Sequence, residues 1–332
     1  LEFRRVLFRS MTGYAGGIYS MEIQIVSGFL GAGKTTFLKQ YLPTLAGRTV
    51  VIENEFGDVG LDGDLIGGDI PVKELFAGCI CCSLALDFRK GIREIWEEFR
   101  PDRIVIEPSG VGRLSDIVKA CNKAKEKEGI DLRITKLIAV VDLSLFEDYI
   151  DGFGTFYLDQ IQHARLLLLS NLEQLSKEER IRQIAGIRRV NPDALVYEGD
   201  FRQMDLEVLK ALMEMTADYE DDPEEISIET VPADKVFSSI AILDPGEFDQ
   251  SRLEESLDML KSGVFGKVLR AKGIVETGGG RKVHVEFTPA SMRVDLLEED
   301  DAELECKMII IGCRLREEAI RQHFGGRMAD YG

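Results

Sequence analysis

Short apolar runs alternate with longer amphipathic stretches along the first two thirds of the chain. The apolar runs predict strands at 22–28, 49–54, 102–108, 135–142, 164–170 and 194–199. The stretches around them predict helices at 34–45, 84–99, 114–127, 144–149 with 156–163, 176–190 and 203–215. Apolar strands separated by helices are typical of a mostly parallel sheet covered by helices on both faces. This pattern predicts an α/β fold.

The last third of the chain has a different order of elements. Strands are predicted at 235–243, 264–275, 281–288, 291–296 and 304–311, and helices at 249–260 and 314–323. The run Gly278-Gly279-Gly280-Arg281 predicts a hairpin turn between two of the strands. A smaller α+β domain is therefore predicted here.

Composition divides the chain into four segments. Segment 1–20 has a basic start and a glycine-rich continuation, and we predict a non-native or disordered leader before a native start at Met11 or Met21. The α/β domain is predicted to cover 21–216, an acidic linker 217–233, and the second domain 234–332.

The charge of the chain limits its partners. Its 332 residues include 41 Lys and Arg against 59 Asp and Glu, which gives a formal net charge of −18. Such a field repels nucleic acid and anionic membranes, so neither is predicted as a partner. Three of the six cysteines fall within four residues, which is unlike a disulfide framework. Reduced thiols, together with the lack of a long apolar run, predict a soluble cytoplasmic protein.

Segment 28–35, GFLGAGKT, fits the phosphate-binding pattern G-x-x-x-x-G-K-[ST] between a predicted strand and a predicted helix. Backbone N–H groups of such a loop surround nucleotide phosphates, here from Gly28, Gly31, Ala32 and Gly33. Lys34 is predicted to reach the β- and γ-phosphates, and the Thr35 hydroxyl to bind Mg²⁺. This segment predicts a P-loop nucleotide hydrolase.

A carboxylate at the end of a neighbouring strand would orient Mg²⁺ or its water shell. Glu107 is the first candidate, because it ends a strand and precedes the segment PSG. Asp142, which ends the run LIAVVD, is the second. The alternative is that either acid only begins a loop or caps a helix. Lys34, Thr35 and Glu107 are thus the predicted catalytic group.

Three clustered thiols, Cys79, Cys81 and Cys82, are named here the cysteine cluster. Thiolates are soft ligands that suit Zn²⁺ and similar ions, and further donors would complete a tetrahedral site. Carboxylates are available upstream in IENEFGDVGLD: Glu53, Glu55, Asp58 and Asp62. The spacing alone leaves metal binding, buried apolar cysteines and a redox pair as alternatives.

Four runs in this order, SGFLGAGKTT, IENEFGDVGLD, ELFAGCICCS and EPSG, resemble the CobW-like metal-homeostasis GTPases. These belong with the nickel-inserting accessory GTPases of hydrogenase and urease in the CobW/HypB/UreG group. The similarity continues through VVDL, NPDA, RAKG and IIIG and covers about residues 21–325. It implies a P-loop GTPase domain followed by a CobW-type C-terminal domain.

The resemblance also implies roles for individual residues. Gly28 to Thr36 would hold GTP with Mg²⁺, and Glu107 would be the Walker B acid. The cysteine cluster would bind Zn²⁺ or Co²⁺ together with Glu53 and Asp58, although Asp58 is one methylene shorter than the expected glutamate. The implied partners are a client metalloprotein or a cobalamin-pathway enzyme, and a homodimer stays open.

The family reads guanine with an N/T-K-x-D motif, and this motif is altered here. The run LLLL is followed by Ser170-Asn171-Leu172-Glu173. Asn171 replaces the lysine that packs on the base, and Glu173 replaces the aspartate that accepts the base N–H groups. Both are predicted to contact the base, with GTP favoured and ATP left open.

These features favour a metallochaperone that hydrolyses GTP slowly. Its nucleotide state would open or close the thiolate site and release metal to a client. One alternative is a P-loop ATPase or small-molecule kinase with structural cysteines. The other is a non-catalytic, nucleotide-gated metal sensor.

Overall fold

The computed structural model of the protein describes residues 20–53, 72–74, 84–219, 236–246, 248–278, 280–297, 305–325 and 327–328. Nearly all of the predicted leader and most of the predicted linker lie outside these residues. So do Asp58 and the cysteine cluster. The predicted domain boundaries stay predictions.

The N-terminal part of the chain is built on one parallel sheet. Its strands are β1 (Met21–Gly28), β2 (Thr49–Glu53), β3 (Val72–Glu74), β4 (Arg103–Glu107), β5 (Leu132–Asp142), β6 (Leu166–Ser170) and β7 (Leu195–Asp200). Their order is β3-β2-β4-β1-β5-β6-β7, and every described pair of neighbours is parallel. Ligands of such sheets bind at the carboxyl ends of the strands, where the strand order reverses. In this sheet that place is the end of β1.

Helices cover both faces of this sheet. They are α1 (Lys34–Tyr41), α2 (Leu84–Phe99), α3 (Leu114–Glu128), α4 (Phe146–Gln162), α5 (Lys177–Val190) and α6 (Leu206–Met215). Strand residues alternate between the two faces. Ile25 and Ile106 therefore join a core that contains α2, α3 and α4 residues, whereas Val26 and Val105 join a core with α1 and α6 residues.

The second sheet is antiparallel. Its elements are β8 (Ser238–Leu243), α7 (Gln250–Met259), β9 (Lys267–Thr277), β10 (Arg281–Thr288), β11 (Ser291–Leu296), β12 (Lys307–Cys313), α8 (Glu317–Phe324) and β13 (Arg327–Met328). The strand order is β11-β10-β9-β12-β8-β13. Leu257 of α7 and Ile320 of α8 share a core with one face of the sheet. Ile309 and Ile311 of β12 project from the other face into a core of the N-terminal domain.

The two domains meet at α4. The Phe237 ring, just before β8, lies 5.8 Å from the ring of Phe153 and 5.3 Å from that of Phe156, centroid to centroid. Lys267 Nζ lies 4.3 Å from the centroid of the Phe153 ring, a cation–π geometry. The second domain therefore packs on α4, whose Tyr149 ring also lies 4.6 Å from the ring of Phe29, just after β1, centroid to centroid.

The predicted fold class is confirmed, and the described elements lie close to their predicted positions. Sequence patterning missed β3 and β13, because strands of three and two residues are too short to show alternation. The two helices predicted at 144–149 and 156–163 correspond to the two parts of α4, which is broken between them at Gly154. In the described part of the chain, no helix has both the length and the apolar character needed to cross a membrane.

Candidate nucleotide and metal site

The phosphate-binding segment connects β1 to α1, in the predicted context. Gly28, Gly31 and Gly33 have φ angles of 147°, 76° and 107°, which favour glycine. The segment ends at the N-terminus of α1, where free N–H groups and the helix dipole attract anions. Lys34 is buried, and its Nζ lies 3.5 Å from the Phe29 carbonyl oxygen across the loop. This arrangement is suited to hold a chain of phosphates.

Thr35 and Glu107 are brought together from distant parts of the sequence. Thr35 Oγ1 donates to Glu107 Oε1 at 3.1 Å and lies 3.5 Å from Oε2. Glu107 reaches the start of α1 because it ends β4, which neighbours β1. A hydroxyl and a carboxylate are hard oxygen donors of the kind that Mg²⁺ takes beside phosphates. The pair fits a magnesium ion.

The remaining loop residues differ in their surroundings. Ala32 is buried, whereas Thr36 is exposed on the first turn of α1. Gly31 lies against the second domain, because a Cβ at this position would be 2.5 Å from Cγ2 of Thr288. Positive φ and this close approach together require glycine at position 31. The second domain therefore touches the phosphate loop directly.

The predicted base-side segment is fixed to the phosphate loop by a serine. Ser170 Oγ donates to the Ala32 carbonyl oxygen at 2.8 Å, and both residues are buried. Asn171 has φ 57° and ψ 34°, and its Nδ2 donates to Asp142 Oδ2 at 2.6 Å. The Asn171 amide nitrogen is therefore used within the protein, where it stiffens this segment.

The carboxylate of Asp142 accepts hydrogen bonds from its neighbours within the protein. Its Oδ1 accepts hydrogen bonds from the backbone N–H and the hydroxyl of Ser144, at 3.0 and 2.6 Å. Burial raises the pKa of the Asp142 carboxyl, and hydrogen bonds from Ser144 and Asn171 oppose this shift. The described contacts thus bring Glu107 to Thr35 and direct Asp142 to Ser144 and Asn171.

Glu173 is exposed and already has a cationic partner. Nη2 of Arg202 lies 3.0 and 3.1 Å from its two carboxylate oxygens. Arg202 also donates to Asp200, and this hydrogen bond is the main cause of the raised pKa of Arg202. The pKa of Asp200 is lowered, since burial, which raises it, is outweighed by the bonds from Arg202. Phe201 between them is buried against Gly33, so this segment also packs on the phosphate loop.

Glu53 is the predicted transition-metal ligand that lies within the described residues. It is buried at the end of β2, and its Cα is paired with that of Glu107 in the register of β2 and β4. Neighbouring strands lie about 4.8 Å apart, so the two carboxylate residues are adjacent. Asp58 and the cysteine cluster lie outside the described residues. Among the residues that the structure describes, no group of three or more His, Cys, Asp or Glu could hold a metal ion.

Both domains match known family profiles. Residues 22–198 match the profile described as "CobW/HypB/UreG, nucleotide-binding domain". The chain belongs to the CobW/HypB/UreG family. Residues 237–327 match the C-terminal domain of the cobalamin synthesis protein CobW, so the CobW-type pairing of domains is present in this chain.

Individual relatives cover this CobW-family chain to different extents. The zinc chaperone YeiR of Escherichia coli is 31% identical over 157 residues, which are 46% of this chain and 47% of YeiR. The match therefore spans about half the length of that relative. The zinc chaperone YjiA of Escherichia coli is 28% identical over 322 residues, 92% of this chain and 98% of YjiA. A crystal structure of Zn(II)-bound YjiA GTPase has 26% identity and a TM-score of 0.42, covering 93% of this chain and 99% of that one.

Two contacts of this CobW-family site were not anticipated from the sequence. The hydrogen bond from Ser170 to Ala32 follows from β6 ending beside the phosphate loop, which could be inferred only once the strand order was known. The ion pair of Arg202 with Glu173 joins segments 29 residues apart, and no motif marks the arginine. Both contacts involve the segment that is predicted to lie on the base side, where the family motif is altered.

Proposed function

We propose that the protein is a GTP-hydrolysing metallochaperone that couples nucleotide state to the binding and delivery of a transition metal. Zinc is the first candidate for the cargo and cobalt the second. The observation that carries the proposal is the pairing of Glu53 with Glu107 in neighbouring strands. Glu53 belongs to the proposed transition-metal site and Glu107 to the proposed magnesium site. A shift of either strand end therefore acts on the other site.

The nucleotide part of the proposal rests on the phosphate loop. Lys34 and the loop backbone would hold the triphosphate, and Thr35 with Glu107 would hold Mg²⁺. Bound Mg²⁺ would neutralise charge that develops on the transferred phosphoryl group. Lys34 adds a fixed cation in a buried place, where electrostatic stabilisation is strong. Glu173 would accept hydrogen bonds from the N–H groups of guanine.

The proposed binding of zinc or cobalt rests on ligand chemistry and on similarity to known proteins. The cysteine cluster offers three thiolates, and Glu53 and Asp58 would add carboxylate oxygens. Soft sulfur ligands in a small coordination sphere suit zinc, although ligand type alone seldom separates it from cobalt. The relatives YeiR and YjiA are named zinc chaperones, which supports zinc as the first choice.

The coupling follows from geometry at the sheet edge. Loss of the γ-phosphate would change the contacts of Thr35 and Glu107, the two residues that would hold Mg²⁺. Glu53 shares the sheet edge with Glu107, so its carboxylate would move with that change. By linkage, metal binding must alter nucleotide affinity by the same factor. Hydrolysis would thereby release the ion to a client protein.

A zinc titration tests the proposal. Zinc affinity is measured by chelator competition with GTPγS or GDP bound, in the parent and in a Cys79→Ala/Cys81→Ala/Cys82→Ala variant. We expect affinities that differ by about tenfold between nucleotides, a typical coupling energy, and loss of tight binding in the variant. The matched control is Cys306→Ala/Cys313→Ala, which removes two partly exposed cysteines of the second domain. Equal zinc affinity in both nucleotide states would contradict the proposal.

The second candidate is a nucleotide hydrolase with little base selectivity. The altered base-reading segment favours it, because Asn171 stands where the family has the lysine that packs on the base, and its amide donates to Asp142. Competition of ATP against GTP for the site separates the candidates. Preference for GTP supports the metallochaperone, and equal affinities support the second candidate.

A further inference from the structure

Helix α4 contacts the phosphate loop with one of its faces. The Phe29 ring in the loop lies 4.6 Å from the ring of Tyr149 and 5.5 Å from that of Tyr157, centroid to centroid. The helix is broken between them at Gly154, where φ is 43° and ψ is −114°. Both parts of α4 therefore contact the phosphate loop through Phe29.

The second part of α4 also holds the turn that follows Glu107. In this turn the Gly112 N–H donates to the Ser109 carbonyl oxygen at 2.9 Å. Nε2 of Gln160 donates to the carbonyl oxygens of Gly110 and Gly112, at 3.1 and 2.7 Å. Gln160 has 1% exposure, so these bonds are shielded from water. Two carbonyl acceptors fix the orientation of the amide, because its own oxygen could not bond to either.

Neighbouring residues on the same helix strengthen this attachment. Asp159 accepts hydrogen bonds from the backbone N–H and the hydroxyl of Ser115, at 3.0 and 2.7 Å. The Arg113 guanidinium lies 4.1 Å from the centroid of the Phe156 ring. Phe156, Asp159 and Gln160 are spaced by three and four residues, so they share one face of the helix. This face binds the segment 110–115.

The turn itself packs on the phosphate loop. A Cβ on Gly110 would be 2.7 Å from the backbone nitrogen of Leu30, so the two backbones are in direct contact. The turn begins two residues after Glu107, whose carboxylate bonds to Thr35. In P-loop enzymes the loop backbone and its lysine hold the β- and γ-phosphates beside these groups. The turn therefore lies next to the part of the loop that would hold these phosphates.

We infer that Gln160 is a positioning residue that holds the Ser109–Gly112 turn ready for the third phosphate of a nucleoside triphosphate. Without its amide, two buried carbonyl groups lose their donor and the peptide planes of the turn can rotate. A diphosphate lacks the group that would meet the turn, so we expect its binding not to depend on Gln160. This inference concerns the nucleotide site alone and does not depend on metal delivery.

The test compares the affinities of Gln160→Leu for GTPγS and GDP, both with Mg²⁺. We expect GTPγS to bind about tenfold more weakly than in the parent, as for loss of hydrogen bonds to buried groups, and GDP to bind within about twofold. Single-turnover hydrolysis should slow by a similar factor of about ten, because the turn is less well placed. The ratio of the two affinities is a quantity that general destabilisation would not change.

The control is Gln183→Leu, which removes another buried glutamine from α5, a helix packed against α4. It should leave the ratio of GTPγS to GDP affinity unchanged. Should Gln160→Leu fail to fold, Gln160→Met, whose side chain is close to glutamine in length, removes the same two hydrogen bonds and tests the same ratio. An unchanged ratio in the folded variant, or equal weakening of both nucleotides, would overturn the inference.

Discussion

The proposed phosphate end and the proposed base end of the nucleotide site are built differently. At the phosphate end, Lys34 is buried, and Thr35 bonds to a carboxylate at the end of the adjacent strand. At the base end, the side chains of Glu173 and Arg202 are 58% and 36% exposed, and their contact is an ion pair near the surface. One end is fixed by backbone and burial, and the other by side chains in contact with water.

This difference predicts how much each end contributes to affinity and to base selectivity. Charged contacts in a buried place contribute several kcal/mol, whereas exposed ion pairs contribute about 0–1 kcal/mol. The phosphate end should therefore supply most of the affinity. The base end should supply a smaller selectivity that depends on few side chains.

The largest effect is expected at the phosphate end, from Lys34→Ala. Loss of the buried cation that is proposed to contact phosphate should weaken the binding of both GDP and GTPγS by about 100-fold or more. Calorimetry measures this directly. Lys39→Ala, on the exposed side of the same helix, is the matched control and should bind like the parent. Parent-like affinity in Lys34→Ala would show that the phosphate end is wrongly assigned.

The next effect is a change of base preference in Glu173→Gln. An amide in place of the carboxylate can donate to the O2 of xanthine but cannot accept both N–H groups of guanine. We expect the affinity for GDP to fall by about tenfold and xanthosine diphosphate to bind more tightly than GDP. The exposed Glu178→Gln in α5 is the control. If the order of the two nucleotides does not change, Glu173 does not read the base.

Ser170→Ala tests the connection between the two ends. Removing the 2.8 Å bond to Ala32 should destabilise the fold by about 1 kcal/mol, the usual value for such a bond. It should lower the affinities for GDP and ADP by the same factor of about five, because the whole base-side segment is held less firmly against the phosphate loop. Thermal unfolding and competition binding measure the two effects. A selective loss of GDP alone would place Ser170 in base reading and contradict the connecting role.

The smallest effect is expected from Arg202→Ala. Glu173 would lose the partner that orients it and would face Asp200, a like charge. Preference for GDP over ADP should fall by about threefold, in keeping with an exposed ion pair. Arg188→Ala, which breaks the exposed pair with Glu198, is the control. A rise in preference would mean that Arg202 competes with guanine and does not orient the carboxylate.

Most of the fold could be predicted because its signals are local. The phosphate loop is one continuous segment, and the strands it joins are apolar along their length, so pattern and motif agree. The hairpin between β9 and β10 followed from adjacent glycines. The gap predicted between residues 149 and 156 contains the break of α4 at Gly154, but each part of the helix continues further toward Gly154 than the pattern predicted. The short strands β3 and β13 could not be predicted, because two or three residues are too few to show alternation.

The candidate site could be predicted only where its residues belong to a motif. Lys34, Thr35 and Glu107 have fixed places in known patterns, and the structure brings Thr35 and Glu107 together. The partners of Glu173 and of the turn after Glu107 are distant in sequence and carry no pattern. Arg202 and Gln160 become visible only when the strand order sets their segments beside the phosphate loop.

The central claim is that nucleotide and metal sites share one edge of the sheet. Its most direct test is GDP and GTPγS affinity with and without saturating Zn²⁺, in the parent and in the variant without the cysteine cluster. The account predicts that zinc changes the ratio of the two affinities by about tenfold in the parent and leaves it unchanged in the variant. A ratio that zinc does not alter in the parent would contradict it.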